Sequence, residues 1–155
     1  MVNPHVIRLR GPWDVAPLVR FVSGPDGRAA ESAADLPAAG RLTMPADWSA
    51  LLGRDYCGRA RHVRHFNRPT GLDSGTRVWL VCEGARDRAA VSLNGQPLGL
   101  VEGAGASVPF EITDLLQPRN ELVIDVEFAL ASPDEPNECG GLVGDVRLEI
   151  FETGA

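Results

Sequence analysis

The sequence contains no lysine, and all 15 of its basic residues are arginine. Acidic residues number 21, so the formal net charge is −6 and the isoelectric point lies near 5.0. An acidic surface repels the phosphate backbone of DNA and RNA. We therefore expect this protein to have no nucleic-acid partner.

Long apolar runs are also missing. The longest one, residues 78–82, is far shorter than the roughly 20 residues that a membrane-spanning helix needs. The N-terminal residues Met-Val-Asn-Pro-His lack the basic start and the apolar stretch of a secretory signal. These absences predict a cytoplasmic protein that has no membrane partner.

Cysteine and histidine are scarce, with three residues of each. Cys57, Cys82 and Cys139 form no C-x-x-C pair, and the histidines lack zinc-ligand spacing, so we expect no metal site. An odd number of cysteines without a secretory signal predicts reduced thiols. Cys82 lies inside the longest apolar run, where it is expected to pack as a small hydrophobic residue.

Motifs of catalysis and of cofactor binding are absent as well. The sequence contains no serine nucleophile elbow, no dinucleotide-binding glycine fingerprint and no P-loop. A carboxylate cluster, Asp134, Glu135 and Glu138, lies in a proline-rich segment whose simplest interpretation is a solvated loop. We predict no catalytic residues and no cofactor.

What is present is the pattern of an all-β protein. The 155 residues suffice for a single domain over residues 1–155, and short alternating segments recur between Gly, Pro, Asn and Asp. From Leu122 to Phe128 every second residue is apolar, so these four side chains share one face, while Asp125 and Glu127 lie on the other. Val146, Leu148 and Ile150 likewise alternate with charged residues. The sequence predicts an antiparallel β-sandwich.

Further strands and turns follow from the same pattern. The other predicted strands are residues 6–10, 18–23, 41–44, 59–67, 77–83, 89–93 and 96–101. Asn94-Gly95 predicts a two-residue hairpin turn, because both residues tolerate positive φ. Turns or loops are predicted at residues 24–27, 67–71, 103–105 and 118–120, and a long polar loop at 132–141. Residues 29–36 can form one helical turn, which Pro37 ends.

A set of short motifs follows one order along the chain. They are GPW at 11–13, MPADW at 44–48, YCG at 56–58, RHF at 64–66, RVWLVCEGA at 77–85, VSLNG at 91–95, LG at 98–99, PFEITDLL at 109–116, NEL at 120–122 and GGLVGDV at 140–146. In this order they resemble the N-terminal sugar-binding domain of glycoside hydrolase family 2, the β-galactosidase and β-glucuronidase group. The resemblance implies a jelly-roll sandwich of the galactose-binding-like type.

The resemblance also bears on activity. Family enzymes carry their two catalytic carboxylates in a separate barrel downstream of this domain, so we expect these 155 residues to be non-catalytic. The sequence has His62 and Val63 where the family usually has an aromatic residue and an arginine. Thr113 and Asp114 can cap one helical turn ahead of Leu115.

One basic stretch, residues 54–68, supplies three candidate binding residues, Arg59, Arg61 and His65. Arginine side chains bind carboxylates through two parallel hydrogen bonds, so an acidic sugar or the acidic face of a partner can dock here. The alternative is pairing with the acidic residues of the chain itself. Strict alternation also buries His62 and Arg64, which requires either a bulge or a paired Arg64.

Trp79 is the fourth candidate binding residue. Trp13 and Trp48 lie in turn motifs and are expected to pack in the interior. The inward face of its strand is expected to hold Val78, Leu80 and Cys82, so Trp79 is expected to point outward. An outward tryptophan can be a sugar platform, part of a subunit interface, or covered by a loop of the same chain.

Three functions fit this sequence. The first is a non-catalytic carbohydrate-binding-like module, accessory to a carbohydrate-active protein partner. The second is a module for protein interaction or self-association, with a homo-oligomer as its product. The third is a detached domain of a family 2 glycosidase that is active only when joined to a barrel. The sequence does not name a sugar, because specificity depends on loop geometry.

Overall fold

The computed structural model describes residues 3–23, 29–129, 140–142 and 144–152, and it describes their side chains except at residues 23, 29, 86 and 104–106. One short helix, α1, spans Ser49–Leu52, and a 3-10 turn spans Thr113–Leu115. The strands are β1 (His5–Arg8), β2 (Trp13–Ser23), β3 (Ala29–Ser32), β4 (Gly40–Leu42), β5 (Ala46–Asp47), β6 (Gly58–Asn67), β7 (Thr76–Leu93), β8 (Gln96–Glu111), β9 (Arg119–Phe128), β10 (Gly141–Leu142) and β11 (Val146–Glu152).

The strands pair antiparallel and form the two layers of a β-sandwich. Their hydrogen-bonded order is β1-β11-β7-β9-β6-β2-β3, with β8 beside β7, β4 beside β2, and β5 paired separately with β10. The first layer holds β1, β11, residues 76–82 of β7 and the end of β8. The second layer holds residues 88–93 of β7, the start of β8, β9, β6, β2, β3 and β4. The all-β fold predicted from alternation is therefore confirmed.

The long β7–β8 hairpin belongs to both layers. Its pairing register shifts between Glu83 and Ala85 and again between Ala85 and Arg88. Gly84 and Asp87 have φ of 83° and 61° in this stretch, so the strand bends there without ending. The strands predicted at 77–83 and 89–93 are thus two halves of one strand.

Alternation places the core where the sequence predicts it. On β9 the inward side chains Leu122, Ile124 and Val126 are fully buried, while Asp125 and Glu127 lie on the outer face and are half-buried. On β11, Val146 and Leu148 face inward from the first layer. These inward sets meet in one apolar core between the layers.

Aromatic side chains close one part of this core. The ring of Trp48 packs edge-on against Tyr56, with centroids 5.2 Å apart, and against Phe128 at 6.3 Å. Trp13 is also fully buried, and its indole N–H donates to the carbonyl of Leu9 at 2.7 Å. Trp13 and Trp48 are packing residues, as predicted.

A network around Asn120 fixes the turn of the hairpin. Asn94 and Gly95 both have positive φ and join β7 to β8 in the predicted two-residue turn. The Oδ1 atom of buried Asn120 accepts hydrogen bonds from Asn94 Nδ2 and Gln117 N, and its Nδ2 donates to the carbonyl of Phe66. The amide therefore ties three chain segments together.

Replacing Asn120 by alanine is expected to lower the free energy of unfolding by about 2 kcal/mol, because buried hydrogen-bonding groups lose their partner. Urea denaturation followed by fluorescence measures this change. Asn67→Ala is a suitable control, since Asn67 is exposed on the neighbouring strand. Equal stability of the two variants would contradict a structural role of the Asn120 network.

Three local predictions need correction. Residues 29–32 form β3, paired with β2, rather than a helical turn, because cross-strand pairing overrides the weak local preference. Residues 103–105 lie within β8 rather than in a loop, and Gly103 pairs with Ala85 at the bend. The helical turn predicted after Thr113 is present as a 3-10 turn, but Thr113 does not cap it: its hydroxyl accepts the backbone N–H of Val78 at 2.9 Å.

Other predictions fall partly outside the described residues. The predicted loop at 132–141 lies outside them except for Gly140 and Gly141, and Gly141 begins β10. Cys57 and Cys82 carry free thiols in the core, and burial raises the pKa of Cys82 to about 12. Cys139 lies outside the described residues. No helix among the described residues is both long and apolar enough to cross a membrane.

Candidate functional site

The outer face of the second layer carries a depression of about 560 Å³, which we call the arginine face. It is lined by Leu18, Val19, Arg59, Arg61, Arg88, Ala90, Leu100, Asp125 and Glu127. These side chains come from β2, β6, β7, β8 and β9, so the face depends on the register of five strands. Leu100 is 53% exposed and forms an apolar part of its wall.

Alternation on β6 explains why its arginines meet here. Gly58, Ala60 and His62 point into the core, which turns Arg59 and Arg61 outward. Each outward position on β6 faces an outward position on β9, so Arg61 lies opposite Asp125. The face is therefore a ladder of alternating positive and negative groups.

Three ion pairs organise the arginine face. Arg61 donates through Nε and Nη2 to the two carboxylate oxygens of Asp125, at 2.8 and 3.0 Å. Arg88 Nε lies 2.5 Å from Glu127 Oε2, and Arg59 pairs with Glu31 of β3. The hydrogen bond to Asp125 raises the pKa of Arg61 above its usual value. Each guanidinium therefore already has a carboxylate of the chain itself as its partner.

His65 lies on the same outer face, towards the far end of β6. Its Nε2 atom lies 3.2 Å from the carboxylate of Glu121, opposite it on β9. It does not line the depression formed around Arg59 and Arg61. The structure thus brings two of the three basic candidates together and sets His65 apart from them.

His62 occupies the core beneath this face. The β6–β9 register is unbroken, so the bulge that alternation allowed is absent from this described pair of strands. His62 is fully buried, its Nδ1 lies 3.4 Å from the carbonyl of Ala60, and no described residue pairs with its Nε2. Burial lowers the pKa of His62 to about 4, so the ring is neutral at pH 7.

Arg64, the other inward residue of β6, is partly buried and partly satisfied. Its Nη1 donates to the carbonyl of His65 at 2.6 Å. Its Nε has no partner among the residues that the structure describes. The sequence requires either a bulge or a paired Arg64. The structure has a partly paired Arg64, whose partner is a backbone carbonyl rather than a carboxylate.

Trp79 lies on the other layer. It points outward, as alternation predicts, into a groove of about 350 Å³ that it forms with Val81, Pro109, Glu149 and Phe151. We call these five residues the tryptophan face. Trp79 is half-buried, and Val81, two residues along the strand, is only 4% exposed. The fourth candidate therefore belongs to a surface separate from the arginine face.

Sequence reasoning missed several residues of the arginine face. Asp125 and Glu127 were visible as the outward members of an alternating strand, but their pairing with Arg61 and Arg88 depends on strand order. The register of the β7–β8 hairpin brings Arg88 and Leu100 to the same face. No group of three or more His, Cys, Asp or Glu side chains in the described ranges could hold a metal ion.

The glycosyl hydrolase 2 galactose-binding domain-like family matches residues 55–141 of this chain. The chain belongs to this family. The matched part of this galactose-binding-like domain runs from just before β6 to the start of β10, so it includes Arg59, Arg61, His65 and Trp79. The resemblance drawn from the order of motifs is confirmed.

Solved structures share the fold of this galactose-binding-like domain. An FMN-binding β-glucuronidase from Facaelibacterium prausnitzii L2-6 is 26% identical, with a TM-score of 0.73 over 97% of this chain and 23% of its own. The Bifidobacterium dentium β-glucuronidase in complex with coumarin-3-O-glucuronide is 22% identical, with a TM-score of 0.70 over 97% of this chain and 30% of its own.

A putative β-galactosidase from Bacteroides fragilis is 22% identical, with a TM-score of 0.67 over 97% of this chain and 24% of its own. The domain thus spans about a quarter of the length of these proteins. No curated protein matches the chain.

Proposed function

We propose that this chain is a non-catalytic carbohydrate-binding-like module of the glycoside hydrolase family 2 type, accessory to a carbohydrate-active partner. The observation that supports this most directly is the arginine face, where guanidinium donors and carboxylate acceptors alternate around one depression. A sugar hydroxyl both donates and accepts hydrogen bonds, so it fits between such groups. The volume of about 560 Å³ falls within the range of ligand pockets.

The family membership supports the same proposal in a different way. The chain corresponds to about a quarter of the length of each of the three enzymes named above. We propose that the catalytic carboxylates lie on a partner or on a further domain and that this domain holds carbohydrate beside them. Chromogenic galactosides, glucuronides and mannosides should accordingly remain uncleaved by these 155 residues.

Replacing Arg61 by glutamine is expected to weaken glycan binding about tenfold or more, because hydrogen bonds to a charged group are lost. An array of immobilised glycans selects the sugar, and isothermal titration with that sugar then measures Kd. The change should leave stability within about 1 kcal/mol, since Arg61 is solvent-exposed and its partner Asp125 is only half-buried.

Arg8→Gln is the matched control. Arg8 is an exposed arginine paired with Asp145 at 3.5 Å, and it lies on the first layer. We expect this variant to bind the selected glycan as the unaltered chain does. The assignment of the arginine face as the glycan-binding site would be overturned if the chain bound no glycan on the array. It would also be overturned if Arg61→Gln and Arg8→Gln had equal Kd.

A further inference from the structure

Trp79 and Glu149 of the tryptophan face belong to a row of residues that crosses four strands. The register places Val6 of β1 opposite Glu149 of β11, Glu149 opposite Trp79 of β7, and Trp79 opposite Glu111 of β8. Side chains directly opposite each other in antiparallel strands lie about 5 Å apart. Trp79 therefore has a glutamate directly opposite it on each of the two neighbouring strands.

The surroundings of this row are mainly apolar. Phe151 and Pro109 line the groove with Trp79, and Val6 is 36% exposed at the edge of the layer. A half-buried tryptophan within an apolar groove is typical of the anchor positions at protein interfaces. The groove is thus suited to a side chain that has an aliphatic part.

The two carboxylates beside Trp79 differ in their partners. Glu149 accepts from Arg147 Nε at 2.7 Å, and the same guanidinium also contacts Glu83 at 2.7 Å and Asp145 at 3.5 Å. Arg8 also pairs with Asp145 at 3.5 Å, so two cations are shared among three acidic groups. Glu111 is exposed and forms no ion pair among the described residues, and the nearby exposed Arg77 lies opposite Phe151 at the end of the groove.

This arrangement favours a cationic occupant. A guanidinium or ammonium group above an indole ring is attracted by the negative face of that ring, and carboxylates on both sides add to the attraction. A second copy of the chain is disfavoured, because it would bring the same acidic row and a further net charge of −6.

We propose that the tryptophan face is a docking surface for a partner polypeptide that inserts an arginine or lysine side chain, flanked by aliphatic residues, between Glu111 and Glu149. The aliphatic stem lies against Phe151 and Pro109, and the charged head lies over Trp79. This surface is on the opposite layer from the arginine face, so the proposal stands independently of carbohydrate binding.

The indole N–H signal of Trp79 in a proton–nitrogen NMR spectrum reports directly on this surface. The indoles of Trp13 and Trp48 donate to the carbonyls of Leu9 and Tyr56 in the core, so their signals serve as internal references. The probe is the peptide acetyl-Leu-Arg-Leu-amide, titrated against the labelled chain. Its control is the same peptide with citrulline, which keeps the shape of arginine without its charge.

We expect the arginine peptide to shift the Trp79 signal and the citrulline peptide to bind about 3- to 10-fold more weakly. Glu111→Gln should weaken the binding of the arginine peptide by a similar factor. Glu102→Gln removes an exposed carboxylate from the second layer instead and should change nothing. Trp79→Phe keeps an aromatic ring in the groove and should retain part of the binding. Trp79→Ala removes the ring and should abolish binding.

Several results would overturn the proposal. Equal affinity for the arginine and citrulline peptides would show that charge does not select the occupant. A shift of Trp79 by neutral monosaccharides but not by the peptide would make the face a sugar platform. A dimer in sedimentation equilibrium that Trp79→Phe dissociates would make it a contact between copies of the chain.

Discussion

Trp48→Ala is expected to lower the free energy of unfolding by about 3–5 kcal/mol. The indole is fully buried, packs edge-on against Tyr56 and Phe128, and donates to the carbonyl of Tyr56 at 3.3 Å. Its removal leaves a cavity and an unpaired carbonyl at the same place. Since domains are stable by only about 5–15 kcal/mol, the variant should lose a large part of its stability.

Urea denaturation monitored by circular dichroism measures this change. Trp79→Ala is the comparison, because it removes the same side chain from a half-buried position on the outer face. We expect it to lower the free energy of unfolding by about 2 kcal/mol, in proportion to the smaller apolar area removed from water. If Trp79→Ala proved as destabilising as Trp48→Ala, the tryptophan face would be part of the core rather than a docking surface.

Stability should also fall in acid because of His62. Its pKa is about 4 in the folded chain, and that of histidine in an unfolded chain is about 6.5. Between these values the unfolded state binds a proton that the folded state excludes, so the free energy of unfolding decreases as the pH falls. The contribution is fully present above pH 6.5, and about 3 kcal/mol of it is lost by pH 4.

His62→Leu tests this directly, since leucine fills the buried position with a side chain of similar size that does not titrate. Denaturation at a series of pH values from 7 to 4 should show a shallower loss of stability than in the unaltered chain. His65→Gln is the control, because His65 is solvent-accessible beside Glu121 and its removal leaves His62 in place. Identical slopes for the His62→Leu variant and the unaltered chain would contradict the assignment.

Much of the fold is predictable from period-two alternation. Leu122, Ile124 and Val126 recur at every second position, and only a strand buries all of them on one face. Asn94 and Gly95 specify a hairpin turn because both must take positive φ. These signals depend only on residues close together in the chain, so they can be recognised in a single sequence.

The parts that sequence reasoning missed depend on contacts between distant residues. Gly103 predicts a loop by composition, yet pairing with Ala85 keeps it within β8. Arg61 and Asp125 are far apart in the sequence, and only the order of the strands makes them partners. Alternation alone predicts that Trp79 lies on an outer face, but its separation from the arginines follows from the division of the strands into two layers.

The shared hairpin has a consequence for how the domain comes apart. In a sandwich of two separate sheets, one sheet can loosen while the other persists. Here residues 76–93 form one strand whose ends pair with β11 in the first layer and with β9 in the second. Peeling β7 away from either neighbour disturbs the ladder that holds the other, so neither layer is a separate cooperative unit. The two candidate binding surfaces therefore persist or are lost together, because they are built on opposite ends of the same strand.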